Sequence, residues 1–234
     1  MKIIDRLSNH LLSLFGINFE IELQDDFFNR ITQDVYLGSR PTPEQIDLLK
    51  KAGITHIVSC LNLERQETVA FLADDFQTLF LPVRDAINED LAAVLPTFFA
   101  FVADAQTSDS KAKILVHCEV GVSRSASLVL ALLMTRQRKS FIDAYSELRL
   151  QRAKVLPNIG FASQLQKFEH SYAQEKPSAG QISSLAQYLH QVCNVPVEIE
   201  FLQAALEAHD YHALSALQAV FGEEIPRVIQ GVRV

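Results

Sequence analysis

The sequence predicts an α/β fold, a central and mostly parallel sheet flanked by helices, followed by a helical C-terminal extension. Three observations lead there. Short runs of β-branched and aromatic residues alternate with segments of helical period along the first two thirds of the chain, the rhythm that builds a parallel sheet. The 234 residues, 48% of them hydrophobic, suffice for one full core with an appendage. Over 174–181 the composition shifts to the linker-like "QEKPSAGQ", after which 182–234 reads as two or three amphipathic helices. The expected organisation is an N-terminal amphipathic segment over 1–27, a core domain over 28–174 and the extension over 182–234.

Each element has a local reason. Ile3, Leu7, Leu11, Leu14 and Phe15 recur at helical spacing, and docking onto the main domain is the expected use of that face. Asp5 and Arg6 interrupt what would have to be the apolar region of a signal peptide, and no stretch reaches the length of a membrane span. "DVYLGS" reads as a short strand. Thr42, Pro43 and Gln45 then form a helix start, with a threonine cap, proline in the first turn and a glutamine to close a capping box; Gly53 is the stop.

The runs 54–61 ("ITHIVSCL") and 76–83 ("FQTLFLPV") are expected as buried strands, with a helix over 67–74 between them. A helix over 91–105 must restart or kink at Pro96. Residues 113–116 form the next strand and 125–138 the next helix, apolar almost all round and so expected to cross the core. Its basic end, Arg136, Arg138 and Lys139, complements the helix dipole and is not read as a binding patch. Ser140 with Asp143 caps the helix in "FIDAYSELRLQR", and Pro157-Asn158 precedes a last core helix from Ile159 to about Tyr172.

A net charge of −7 gives no broad positive field, so nucleic acid and anionic membrane surfaces are not expected partners. Cys60, Cys118 and Cys193 are too few and too scattered for a disulfide framework, and no spacing suggests a metal site. A reducing, cytoplasmic setting without metal or other cofactor is the expectation.

One stretch resists a purely structural reading. In "VHCEVGVSRSAS" a cysteine ends an apolar strand, a loop follows, and an arginine feeds the next helix. A thiol with an ordinary pKa of about 8.5 becomes a thiolate readily beside a helix N-terminus and a cation. The backbone N–H groups of Glu119, Val120, Gly121, Val122, Ser123 and Arg124 can converge on one concavity, a nest for a tetrahedral anion. The planar fork of Arg124 can hold two oxygens of a phosphate, Gly121 lets the backbone turn tightly, and Ser125 can donate a hydrogen bond to the sulfur. Cys60 and Cys193 have no such surroundings and read as buried small hydrophobes.

His117 to Ser125 fits the HCxxGxxR[S/T] signature, and the segment resembles the cysteine-dependent protein tyrosine phosphatases, its Ser123-Arg124-Ser125 ending the dual-specificity branch. "VYLGSRPTPE", "AGITHIVSCLN", "LPVRD", "AYSELRLQR" and "LPNIGFASQLQKFE" extend the resemblance over roughly 28–172. It implies a tyrosine phosphatase-like fold and a phosphoprotein substrate. It also implies Cys118 as nucleophile, Arg124 and the 119–124 loop as phosphate holders, Ser125 as helper in the second step, and His117 as a residue that holds the loop and lowers the thiol pKa. An aspartate about thirty residues upstream supplies the proton in such enzymes. Asp85, thirty-three before Cys118, is preferred over Asp90, which is explained as a helix cap. Asn158 is expected to fix neighbouring backbone.

The loop sits mid-chain, unlike that of low-molecular-weight phosphatases, and its variable positions Glu119, Val120 and Val122 offer no lysine to a polyphosphorylated head group. A phosphoprotein phosphatase acting on phosphotyrosine and on phosphoserine or phosphothreonine is therefore the first reading. A phosphoinositide or small phosphate-ester phosphatase, and a phosphobinding scaffold with little catalysis, are the alternatives. The helical tail is expected either to pack on the core or to hold a protein partner.

Overall fold

The computed structural model describes residues 27–169, 178–193 and 199–208. The N-terminal segment expected over 1–27 lies outside the described residues except for Phe27. So do 170–177, with the expected helix end at Tyr172, everything beyond 208, and the Cys193 side chain.

Five strands form one sheet: β1 (Phe28–Arg30), β2 (Val35–Gly38), β3 (His56–Leu61), β4 (Gln77–Pro82) and β5 (Ile114–His117), in the order β1-β2-β5-β3-β4. All neighbours run parallel except β1, which pairs antiparallel with β2 at the edge. Strand β1 was not expected; three residues of "FNR" carry no alternation that a sequence reading could detect. Both faces are covered, as a parallel sheet requires. Side chains alternate between two cores: Val35, Leu37, Val58, Cys60, Ile114 and Val116 on one face, Tyr36, Ile57, Leu61 and Leu115 on the other.

The second face is covered by α1 (Ile46–Ala52) and a long 3-10 stretch, Leu63–Asp74. The start of α1 is as expected: a 3-10 turn, Pro43–Gln45, in which Thr42 N donates to Gln45 Oε1 at 3.0 Å, and an end at Gly53 with φ 79°. The α-helix expected over 67–74 is instead the 3-10 stretch. Thr68 Oγ1 donates back to Arg65 O at 2.6 Å, a spacing of three residues that suits the tighter coil.

The larger core belongs to α2 (Leu95–Ser108), α3 (Arg124–Gln137), α4 (Phe141–Gln151), α5 (Ile159–Glu169), α6 (Ala179–Cys193) and α7 (Ile199–Ala208). Pro96 sits in the first turn of α2, after a 3-10 turn Ala92–Val94, so it restarts the helix and does not kink it. Residues 125 to 134 of α3 are buried without exception, the central position its apolar sequence requires. Its basic end is a C-terminus: Arg138 is left-handed at φ 50°, and Arg136 Nη2 lies 3.0 Å from Asp34 Oδ2.

The linker expected to run to Gln181 ends earlier. Ser178 and Gln181 form a capping box, Ser178 N donating to Gln181 Oε1 at 2.7 Å and Gln181 N to Ser178 Oγ at 3.3 Å, so α6 begins at Ala179. Ile182, Leu185, Tyr188 and Leu189 of α6, and Leu202 of α7, join the larger core. Of the two uses considered for the tail, packing on the core is the one that α6 displays.

Candidate active site

Cys118 follows β5 directly, and α3 begins at Arg124, so the loop 118–123 lies between a strand end and a helix N-terminus in the middle of the sheet. The surroundings shape this loop by taking its carbonyls one after another. His117 Nδ1 bonds Cys118 O at 3.2 Å and Arg40 N bonds Glu119 O at 3.2 Å. Arg152 spans the next two, Nη2 to Val120 O at 3.2 Å and Nε to Gly121 O at 2.9 Å. Leu156 N takes Val122 O at 2.9 Å, and Ser127 N takes Ser123 O at 2.8 Å. A trans peptide points its N–H opposite to its carbonyl. Six carbonyls held outward therefore turn the N–H groups of 119–124 to the other side, where Gly121 N already donates to Cys118 Sγ at 3.2 Å.

Glycine is obligatory at 121. Its φ is +73°, and a Cβ there would lie 2.4 Å from Gly38 O and 2.7 Å from Arg152 Nη2. Arg152 is 2% exposed and reaches Asn29 Oδ1 at 2.5 Å as well, so the buried cation is shared among Asn29 and the Val120 and Gly121 carbonyls. Nothing in the sequence around Arg152 marks it for this task, because its targets lie 31 and 32 positions away. Glu119 turns out of the nest to Arg40, Oε1 to Nε 3.1 Å, and Val120 is exposed.

The sulfur is buried, which by itself pushes a thiol up. The Ser125 hydroxyl at 3.2 Å, the Ser125 amide, the charge of Arg124 and the Gly121 amide outweigh burial, and Cys118 is held below the ordinary thiol range. Cys60 shows the contrast: burial, with Cys118 nearby, pushes it well up, the state of an inert thiol.

His117 is fully buried and, chiefly through that burial, pushed down to about 4. A carbonyl only accepts, so the bond to Cys118 O puts the imidazole proton on Nδ1, and Nε2 accepts from Ser59 Oγ at 2.7 Å. The ring is neutral and carries no charge to the thiol. The bond from Nδ1 to Cys118 O ties the ring to the loop. Ser59, 58 positions away, had no signal in the sequence.

Arg124 Nη1 reaches Asn62 Oδ1 at 3.3 Å and Val83 O at 3.5 Å, while Nε is buried without a hydrogen-bond partner among the described residues. A buried guanidinium N–H left open beside a ring of amides is a donor awaiting an oxyanion. Asp85, in the loop after β4, comes to the same place: Oδ2 lies 3.8 Å from Arg124 Nε, and Oδ1 accepts from Ser123 Oγ at 2.7 Å and from Asn158 Nδ2 at 2.8 Å. Asp90 does not; its Oδ1 accepts from Ala93 N at 3.1 Å at the next helix start, the capping task expected of it.

Asn158 does more than fix backbone. It caps α5 through Phe161 N at 3.0 Å, holds Asp85, and gives its own N–H to Ser123 Oγ at 3.1 Å. Helix α5 also closes on the Asp85 loop, with Gln164 bonded to Glu89 O and Leu91 N. A Cβ on Gly160 would stand 2.0 Å from Ile87 O.

A thiol held below its ordinary range, a loop of inward amides, an arginine and a carboxylate thus converge on one place. The dual specificity phosphatase catalytic domain family matches residues 35–171 of this chain. The chain belongs to the dual specificity phosphatase family. It is 34% identical over 156 residues to the protein-tyrosine-phosphatase MKP1 of Arabidopsis thaliana, covering 65% of this chain and 19% of that one. With the human dual specificity protein phosphatase 9 it shares 31% over 171 residues, 70% of this chain and 43% of that one. It therefore spans less than half the length of either relative. Among solved structures, the human tyrosine phosphatase-like serine/threonine/tyrosine-interacting protein aligns with a TM-score of 0.56 and 28% identity, over 63% of this chain and 98% of that one. Among the described residues no helix is long and apolar enough to cross a membrane.

Proposed function

We propose that this chain is a protein phosphatase that hydrolyses phosphotyrosine and phosphoserine or phosphothreonine through a phosphocysteine intermediate. The observation that carries the proposal is the Cys118 sulfur, hydrogen-bonded by Ser125 Oγ and Gly121 N and held below the ordinary thiol range at the focus of the loop. In the first step the Cys118 thiolate attacks phosphorus, an S–P bond forms and the ester P–O bond breaks. Asp85 supplies the proton to the leaving oxygen. The 119–124 amides and Arg124 take the charge that builds on the equatorial oxygens. In the second step water attacks phosphorus, Asp85 accepts a proton, the S–P bond breaks, and Ser125 Oγ stabilises the departing thiolate.

The substrate class follows from the loop side chains. Glu119 is paired with Arg40, and Val120 and Val122 are apolar, so nothing in the loop beyond Arg124 attracts further phosphates. A phosphoprotein partner in a cytoplasmic, reducing setting fits Cys60 and Cys118, which are free cysteines among the described residues. The catalytic unit is proposed to occupy 28–174, with the tail as an extension whose first helix packs on it. The deciding experiment measures phosphate release from phosphotyrosine and phosphothreonine peptides and from phosphoinositides in parallel, without added metal, beside Cys118→Ser. Peptide turnover lost in the variant is the expected result. Strong preference for the lipid would replace the substrate class, and folded wild-type protein that binds phosphopeptides without turning them over would make the chain a phosphobinding module.

A further inference from the structure

The peptide unit joining Pro157 to Asn158 is held at both ends. Its N–H donates to Ser123 Oγ at 3.1 Å, and its carbonyl, Pro157 O, accepts from Tyr188 Oη at 3.0 Å. Because a peptide is planar and stiff, the two bonds fix one rigid plate. Ser123 Oγ accepts from that plate and gives its own proton to Asp85 Oδ1 at 2.7 Å. The donors therefore run in one direction, from the Tyr188 hydroxyl through the 157–158 peptide and the Ser123 hydroxyl to the Asp85 carboxylate. Bonds aligned in this way polarise one another and tighten the whole chain. Asn158 Nδ2, on the side chain carried at one end of that plate, makes the second bond to the same carboxylate oxygen.

Tyr188 lies on α6, in the C-terminal extension, 31 positions beyond the carbonyl it holds. It is fully buried, and its ring stands edge-on to Tyr145 at 5.1 Å and to Phe141 at 5.7 Å, both on α4. At the start of the helix Gln181 Nε2 bonds Ser140 Oγ at 3.2 Å and Asp143 Oδ2 at 2.7 Å, which seats α6 along α4. The hydroxyl is thus aimed by packing, and a ring of this size could bury itself without reaching any site at all.

We propose that Tyr188 is a positioning residue for Asp85, so that helix α6 of the extension takes part in proton delivery to the leaving group. This rests on the acid role proposed above for Asp85. Tyr188 touches neither substrate nor sulfur; it acts through Pro157–Asn158 and Ser123.

The test is the dependence of kcat/KM on leaving-group pKa across a series of aryl phosphates, in the full chain. Without a well-placed acid the rate falls more steeply as the leaving group becomes more basic. Tyr188→Phe, which keeps the ring contacts with Tyr145 and Phe141 and removes the hydroxyl's bond to Pro157 O, steepens the slope and lowers the rate on the most basic phenol several-fold, with little change on the most acidic one. Asp85→Asn steepens it further, and Tyr188→Phe added to Asp85→Asn changes the slope no more. An unchanged slope in Tyr188→Phe overturns the proposal. A uniform fall at unchanged slope, or loss of the native fold, makes Tyr188 a stability residue and overturns it equally. Failure of the underlying reading is separate: it would show as turnover retained in Cys118→Ser, or an Asp85→Asn slope equal to wild type.

Discussion

Replacing Ser125 by alanine isolates the hydroxyl that most strongly favours the Cys118 thiolate. The bond is 3.2 Å long, and both residues are almost fully buried, so no water takes its place cheaply. A hydrogen bond to a charged group contributes about 1.5–3 kcal/mol. With about 1.36 kcal/mol per factor of ten, its loss raises the thiol and cuts the thiolate fraction at a given pH below the midpoint by roughly ten- to a hundredfold. The sign follows from the chemistry: the hydroxyl stabilises the ionised form, so its removal favours the protonated form. The rise stops there, because the Ser125 amide, the Gly121 amide and Arg124 remain. Alkylation of the protein by iodoacetate across a pH series reports the thiolate fraction, with Cys118→Ser as the background. The midpoint in Ser125→Ala is expected above that of wild type, with slower breakdown of the phosphoenzyme. A midpoint that stays put, or moves down, refutes the assignment of the hydroxyl.

His117 makes stability pH-dependent: burial holds it at about 4 against an ordinary 6.5, so the unfolded chain takes up the proton first. Its contribution is complete above the unfolded value and is lost as pH falls toward the folded one, up to roughly 3 kcal/mol; urea midpoints of His117→Gln should show a shallower slope in that window, and an equal slope contradicts the reading. Arg152→Met leaves the carbonyls of Val120 and Gly121 without their buried cation, costing about 2–5 kcal/mol in chemical denaturation and nearly all turnover; a stable and fully active variant would show that the loop holds its own shape. Gly160→Ala sets a methyl 2.0 Å from Ile87 O and must displace the Asp85 loop, so turnover of basic leaving groups falls more than that of acidic ones; an equal effect on both would place the strain elsewhere.

The parts of the site that act within a short stretch were legible before the structure. The strand end, the offset from Cys118 to Arg124, the glycine at 121 and the serine after the arginine are local constraints, each with a local physical cause. Asp85 was legible because the resemblance implies an acid about thirty residues before the nucleophile, and Asp90 because capping leaves a local signature. The supports were hidden because their partners are close only in space. Arg152 reads as one more basic residue at a helix end, Ser59 as a polar residue in a strand, and Tyr188 as a hydrophobe on an amphipathic helix. Nothing local says that they bond the loop, the histidine and Pro157. The fold shows the same division. Strands with strong apolar runs and capped helices were foreseeable, whereas β1 is three residues long and owes its existence to the edge of β2. The stretch 63–74 coils more tightly than its apolar spacing alone implies.

The central claim is that phosphate passes through the Cys118 sulfur. Rapid acid quenching of the full chain during turnover of a phosphotyrosine peptide, followed by mass spectrometry of the peptide containing Cys118, tests it directly. The account predicts a phosphoryl group on Cys118, accumulating in Ser125→Ala where the second step is slowed, and neither adduct nor turnover in Cys118→Ser. Turnover that persists in Cys118→Ser, or proceeds in wild type with phosphate never found on the sulfur, would contradict it.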